Sequence, residues 1–212
     1  MHDITDRSHW HEPERGANAG TGAFKRAAMP YDRFMEAEGV PIFRGIGVKR
    51  VHDLPMKLWA RLGGKGSFIQ LYGTEGLWGM YVIQIPSGGA LNIERHIYEK
   101  VVYIVEGRGS TEVWNEGQAK PQQFEWQKGA LFSIPVNAHH RFVNASNSPA
   151  LLLCGTTAPN VMNLHDDMAF IFDCPFNFTS RYSGAQDYFV QKDDIAPRSP
   201  SRPRDETYKL PC

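Results

Sequence analysis

The sequence predicts an all-β domain, and two patterns carry that prediction. Between residues 67 and 157, short runs rich in β-branched and aromatic residues are separated by glycine, proline and asparagine turns. These turns recur about every 8 to 12 residues, and no helical periodicity lies between them. Apolar and polar residues alternate within several runs, with the period of two that places alternate side chains on opposite faces of a strand. Together these patterns predict a β-sandwich or β-barrel.

The segment before this region predicts two kinds of structure. Residues 1–28 are rich in Gly, His, Arg and Glu and poor in apolar residues, so we expect a flexible arm. Residues 29–65 are expected to form an extension that packs on the barrel. Within this extension, residues 30–43 predict one short helix that ends near Gly39, and a glycine cluster around residue 64 predicts a turn.

The predicted barrel occupies residues 66–158. In chain order its predicted strands are SFIQLYG, WGMYVIQIP, NIERHIYE, KVVYIVEG, GSTEVWN, QQFEWQ, ALFSIP, HHRFVNAS and PALLLCGT. Residues 159–212 are aromatic-rich and irregular at first, and rich in Pro, Arg and Ser at the end. We expect this C-terminal extension to pack over the barrel or across a subunit interface, with roughly the last 17 residues disordered.

Charge and composition argue against several classes of partner. Lys plus Arg and Asp plus Glu both number 23, so the zero formal charge gives no reason to expect nucleic acid or an anionic membrane. No apolar run is long enough to span a bilayer, and the first residues lack a signal-peptide pattern. The three cysteines, Cys154, Cys174 and Cys212, lie at no metal-like spacing, which fits a reduced, cytoplasmic protein.

Polar side chains concentrate on one face of a predicted strand between two glycine turns. From position 94 the even-numbered residues are Glu94, His96, Tyr98 and Lys100, and the same face then becomes apolar. Burying four such groups without partners is costly. This face therefore predicts a site more readily than a core.

A second stretch, GALFSIPVNAHHRFVN at residues 129–144, carries two further histidines. Here an apolar strand runs into a turn that contains Pro135 and Asn137, and the next strand begins with His139 and His140. Because neighbouring residues on a strand point to opposite faces, only one of the two imidazoles can face inward. We expect His140 to face inward, and His139 to face outward or to lie in a supporting position.

These two stretches resemble the cupin family. The first family motif is Gly, five residues, His, one residue, His, three or four residues, Glu, six residues, Gly. The second is Gly, five residues, Pro, one residue, Gly, two residues, His, three residues, Asn. At those spacings this chain has Gly88, Glu94, His96, Lys100 and Gly107, and then Gly129, Pro135, Asn137, His140 and Asn144.

The resemblance covers roughly residues 66–157 and implies a fold and a partner. The fold is a double-stranded β-helix, the cupin jelly-roll barrel, with N- and C-terminal extensions and a site in the barrel mouth. The partner is a second copy of the chain, because cupins commonly form homodimers. Residues beyond Ala158 also look like the linker of bacterial two-domain cupins, so the chain resembles the N-terminal half of such proteins.

The resemblance also places three residues in metal-ligand positions, namely Glu94, His96 and His140. Two imidazoles and one carboxylate with open positions suit non-haem iron foremost, and manganese, nickel, copper or zinc as alternatives. Lys100 stands where the family has a ligand Glu. An ammonium within about 4–6 Å of a divalent ion is repelled by it, whereas near Glu94 it is attracted. Lys100 therefore lowers metal affinity, turns away, loses its proton or replaces the ion's charge.

The implied function is that of a cupin enzyme acting on a small molecule. Its leading form is a metal-dependent oxidoreductase of dioxygenase type, in which Tyr98 or Lys100 manages protons. Tyr98 shares the inward face, and the strands carry Trp78, Tyr81, Trp114, Trp126, Phe132 and Phe142, which favours an apolar or aromatic substrate. One alternative is a metal-free isomerase or lyase that uses Lys100 and His96. The other is a non-catalytic binding protein, since two of four ligand positions differ from the family.

Overall fold

The structure, a computed structural model, describes residues 28–74, 76–185 and 189. Apart from Ala28, the expected flexible arm lies outside the described residues, as does the expected disordered tail. The elements are α1 Pro30–Ala37, β1 Ile42–Gly45, a short 3-10 helix Val51–Asp53, β2 Lys57–Trp59, β3 Gly64–Leu71, β4 Gly79–Ile85, β5 Lys100–Glu106, β6 Arg108–Trp114, β7 Gln122–Gln127, β8 Leu131–Ile134, β9 His139–Asn144, β10 Ala150–Thr156, α2 Ala158–His165 and α3 Met168–Asp173.

The strands form two sheets. The larger sheet has the order β1-β3-β4-β10-β5-β8, with β2 paired to the start of β3, and the smaller sheet has the order β7-β6-β9. Strand β1 runs parallel to β3, whereas the other named pairs are antiparallel. The predicted all-β jelly-roll fold is confirmed.

Alternate residues of several strands build the main apolar core, and Ile69, Val82 and Leu151 belong to a second, smaller cluster. On β5, for example, Val102 and Ile104 are buried while Val101 and Tyr103 are exposed. The side chains that β3, β4, β9 and β10 add to this core are Phe68, Tyr81, Ile83, Ile85, Phe142, Leu152 and Cys154. The period-two pattern of the sequence therefore identifies the inward faces of these strands.

The sheet begins earlier in the chain than the sequence suggests. Both β1 and β2 pair with β3, so the extension before residue 66 contributes two strands to the larger sheet. Both strands are short, at four and three residues, which leaves them without a clear alternating pattern. The predicted short helix is present as α1, and Gly39 follows it with a φ of 68°, a left-handed conformation that suits glycine.

The predicted strand NIERHIYE is the main local difference between expectation and structure. Residues 91–99 form no regular strand, and Glu94 makes only an isolated bridge to His140. The backbone changes partner along this segment, since His96 O accepts from Asn137 N and Ile97 N donates to Ile171 O. No single neighbouring strand accompanies it, so a regular ladder does not form, although the inward and outward alternation is kept.

The three α-helices of the described residues pack against one another. Tyr31 N at the start of α1 donates to Asn163 Oδ1 of α2. The Phe34 ring stacks on the Phe172 ring of α3 at 5.8 Å between centroids. Asn137, at the turn before β9, donates from Nδ2 to the carbonyls of Cys174 and Phe176. No helix among the described residues is long and apolar enough to cross a membrane.

Candidate functional site

The structure brings the five predicted site residues together between the two sheets. Glu94, His96 and Tyr98 lie on the irregular segment, Lys100 begins β5, and His140 lies on β9. Glu94 and His140 exchange both backbone hydrogen bonds at 2.9 Å, which aligns their side chains. All five are buried, with exposed fractions between 1% and 8%. The inward parity inferred from the sequence is therefore correct for each of them.

The Lys100 ammonium is the centre of this cluster. Its Nζ donates to Glu94 Oε2 at 2.8 Å and lies 3.0 Å from His140 Nε2. The rings of Tyr81 and Phe142 lie 5.8 and 5.9 Å from the same nitrogen. Since the Lys100 side chain is fully buried, these groups replace the water that would otherwise solvate its charge.

Each of the two histidines keeps one unprotonated ring nitrogen. His96 Nδ1 lies 2.9 Å from the carbonyl of Tyr98, and His140 Nδ1 lies 3.2 Å from the carbonyl of Ala138. A carbonyl oxygen only accepts, so each Nδ1 carries the proton and each neutral ring keeps its lone pair on Nε2. His140 Nε2 accepts from Lys100, whereas His96 Nε2 is buried and has no hydrogen-bond partner within the described residues.

The electrostatics fix the charges of the two imidazoles and of the Glu94 carboxyl group. Burial lowers the pKa of His96 well below its usual range, and the charge of Lys100 adds to this effect. Burial and Lys100 also lower the pKa of His140, although Glu94 opposes them. Burial alone raises the pKa of Glu94, but Lys100 and Arg61 outweigh it and hold that pKa well below its usual range. The cluster therefore contains two neutral imidazoles and a carboxylate that pairs with Lys100.

Tyr98 supports His96 more directly than it contacts Lys100. The two rings stack in parallel, with centroids 3.8 Å apart and planes 2° apart. Burial raises the pKa of Tyr98 well above its usual value, although Arg61 opposes that shift, so the phenol stays protonated. The edge of the Phe172 ring closes over Tyr98 at 6.1 Å. Tyr98 thus fixes the plane of the His96 ring.

Arg61 is a site residue that the sequence did not reveal. It donates from Nη1 to Glu94 Oε1 and from Nε to Glu38 Oε2, both at 2.8 Å. The Phe34, Trp59 and Phe172 rings surround its guanidinium at 5.1–5.7 Å, and its side chain is 29% exposed. Arg61 lies 33 positions before Glu94. No local spacing could therefore have linked the two.

The remaining predicted residues divide between the interior and the surface. His139 stacks on Trp114 and lies 2.9 Å from Glu116, on the opposite side of β9 from the cluster. Tyr81, Phe142 and Trp126 are buried in the core. Trp78, expected on a barrel strand among residues that favour a ligand, precedes β4 and is 49% exposed. A single turn residue before the strand has no alternation to fix its direction.

The donor types of Glu94, His96 and His140 suit a divalent ion, but their arrangement does not fit one. Both carboxylate oxygens of Glu94 and His140 Nε2 already accept hydrogen bonds from Arg61 or Lys100. An ion at this position would also face the Lys100 charge at close range. Among the described residues, no group of three or more His, Cys, Asp or Glu side chains is arranged to hold a metal ion. Of the four alternatives for Lys100, its side chain turning away is excluded.

Comparison with known proteins identifies the domain. Residues 81–156 match the family model described as Cupin domain. These residues, which include both stretches that carry the site, are therefore a cupin domain, and the resemblance seen in the sequence is confirmed.

The individual proteins that this chain resembles share limited sequence identity with it. The chain is 33% identical over 76 residues to the uncharacterized protein MJ1618 of Methanocaldococcus jannaschii, and the match covers 35% of this chain and 56% of that protein. The formate complex of Lactobacillus farciminis oxalate decarboxylase is 23% identical with a TM-score of 0.44, over 52% of this chain and 32% of that chain. The capsular polysaccharide assembling protein CapF of Staphylococcus aureus is 17% identical with a TM-score of 0.42, over 49% and 30%.

Proposed function

We propose that this chain is a small-molecule cupin enzyme that acts without a metal ion, as an isomerase or lyase. One observation carries the proposal: the buried Lys100 Nζ bonds to Glu94 Oε2 and lies against His140 Nε2. Lys100 thus supplies positive charge where a metal-dependent site would need an ion. The proposed substrate is a small organic molecule, and a homodimer and a cytoplasmic location stay predictions.

The groups of the cluster suit proton transfer next to a carbonyl group. His96 Nε2 is a neutral imidazole nitrogen with its lone pair unused, which makes it the general base. It would take a proton from the carbon beside the carbonyl, leaving an enolate whose oxygen accepts a hydrogen bond from Lys100 Nζ. Return of the proton to a different carbon gives an isomer, whereas loss of a leaving group from the neighbouring carbon gives a lyase product. Glu94 and His140 hold Lys100 in place through both steps.

Metal content and proton exchange together test this proposal. We expect purified wild-type protein to contain no stoichiometric iron, manganese, nickel, copper or zinc by mass spectrometry, before and after reconstitution. We also expect it to exchange the α-protons of one or more members of a panel of small ketones, keto acids and aryl ketones in D₂O, followed by NMR. Chelator should not change that exchange, and both His96→Gln and Lys100→Met should abolish it.

A second candidate is the metal-dependent oxidoreductase, and one observation favours it. His140 Nε2 lies 3.6 Å from Glu94 Oε2, and the His96 ring lies 5.2 Å from the His140 ring between centroids, so the three residues supply a donor set typical of non-haem metal centres. Metal binding by these residues would require Lys100 to leave its present position. Near-stoichiometric metal in the wild type that disappears in His140→Ala would replace the metal-free proposal with this one. Absence of both metal and proton exchange would leave the non-catalytic binding protein.

A further inference from the structure

The cluster around Lys100 has the properties of a cation-binding site whose cation is part of the chain. The polar atoms turned towards Nζ are acceptors, namely Glu94 Oε2 at 2.8 Å and His140 Nε2 at 3.0 Å. His96 Nε2 is a third acceptor, 1% exposed at the residue level and without a partner in the described part of the chain. Its ring centroid lies 5.2 Å from that of His140, with the planes at 81°.

The acceptors are held in place by groups other than Lys100. The Nδ1 atoms of His96 and His140 bond to backbone carbonyls, and the Tyr98 ring stacks on His96. Arg61 holds Glu94 through the oxygen that Lys100 does not use. Removing the ammonium should therefore leave two imidazole lone pairs and one carboxylate oxygen close to their present positions.

We propose that Lys100 blocks a latent transition-metal site, and that a neutral side chain at this position opens it. The site would consist of Glu94, His96 and His140 and would take a divalent ion of borderline softness such as Co²⁺ or Zn²⁺. This inference concerns binding and does not depend on the reaction proposed above. The Lys100 charge, and not the lack of a fourth ligand, then excludes the metal ion from the wild-type site.

Co²⁺ binding to folded variants tests the inference, read by visible d–d absorption and by titration calorimetry. Lys100→Met keeps an unbranched side chain, one heavy atom shorter, and removes its charge. We expect it to bind one Co²⁺ per chain at least about a hundredfold more tightly than the wild type, because a unit charge about 4 Å from a divalent ion is strongly repulsive. The matched control is Lys128→Met, which removes an exposed lysine paired with Glu106 and should behave as the wild type.

Two further variants separate this site from adventitious binding. Lys100→Met combined with His140→Ala should lose the gain in affinity, and so should Lys100→Met combined with His96→Ala. If Lys100→Met does not fold, as judged by circular dichroism, Lys100→Gln provides the same loss of charge with a polar side chain. A folded variant that binds Co²⁺ no better than the wild type overturns the inference, as does binding that survives loss of either histidine. Neither result changes the wild-type metal content or the proton exchange that test the proposed function.

Discussion

At the scale of single residues, the buried charges of the site balance one another. Arg61 and Lys100 carry positive charges, and Glu38 and Glu94 carry negative ones, in an alternating row of contacts. Each charge has at least one opposite partner within 2.8 Å, which offsets the large cost of moving ions out of water. The histidines avoid that cost by staying neutral, which has a measurable consequence.

The stability of the protein should fall in mild acid because His96 and His140 are neutral when folded. Burial lowers both pKa values in the folded state, whereas each imidazole titrates near pH 6.5 when the chain is unfolded. The unfolded state therefore binds more protons below pH 6.5, and stability is lost as the pH falls. We expect the free energy of unfolding to drop by up to about 2 kcal/mol per histidine between pH 6.5 and 5. Urea unfolding at both pH values measures the drop.

The variant His96→Gln tests whether the buried histidines cause this pH dependence. His96→Gln should lose up to about 2 kcal/mol less than the wild type over the same interval, since one of the two titrating rings is gone. His165→Gln, which changes an exposed histidine on α2, should keep the wild-type dependence. An unchanged pH dependence in His96→Gln would contradict a neutral His96.

At the scale of elements, the alternating pattern predicted the direction of side chains better than it predicted which strands pair. In residues 94–104 every second residue is buried and those between are more exposed, because this alternation does not require a regular strand ladder. The pairing of residues 91–99 depends on Asn137 and Ile171, which lie far away in the sequence. Motif spacing predicted that Glu94, His96, Lys100 and His140 face inward, and they do, whereas Arg61 depends on a tertiary contact that leaves no local pattern.

Asn137 connects the turn before β9 to the C-terminal segment. Its φ of 59° lies in the left-handed region, and its side-chain amide donates to the carbonyls of Cys174 and Phe176. We expect Asn137→Gly to lower the free energy of unfolding by about 2 kcal/mol through loss of these two hydrogen bonds. Asn137→Ala should cost about 1 kcal/mol more, because alanine is strained at this φ. Urea denaturation of both variants measures the difference.

The relative stability of Asn137→Gly and Asn137→Ala distinguishes a backbone role of Asn137 from a side-chain role. A strained backbone makes alanine worse than glycine, whereas a purely side-chain role makes the two equal or favours alanine, which restricts the unfolded chain more. Equal stability of Asn137→Gly and wild type would show that the contacts to Cys174 and Phe176 contribute nothing.

At the scale of the whole molecule, Arg61 joins the parts of the chain that lie outside the cupin domain to the site within it. Its two carboxylate partners are Glu38, which follows α1, and Glu94, which lies in the domain. Its guanidinium also lies over the Phe34 ring of α1 and the Phe172 ring of α3. The helices and the buried cluster therefore share one charged side chain, so their stabilities should be coupled.

Replacing Arg61 should destabilise helices α1 and α3 and the site together. In Arg61→Met, Glu38 loses a charged partner and Glu94 keeps only Lys100. We therefore expect the free energy of unfolding to fall by roughly 2 kcal/mol. This loss is smaller than the loss expected for a fully buried ion pair, because Arg61 is partly exposed. Hydrogen exchange followed by mass spectrometry should show faster exchange in α1, in α3 and in residues 91–99. The matched control, Arg33→Met, removes an exposed arginine of α1 that pairs with Asp166 and should change stability by no more than about 1 kcal/mol. Faster exchange confined to α1 would contradict the coupling, because it would show that Arg61 anchors the helix without supporting Glu94.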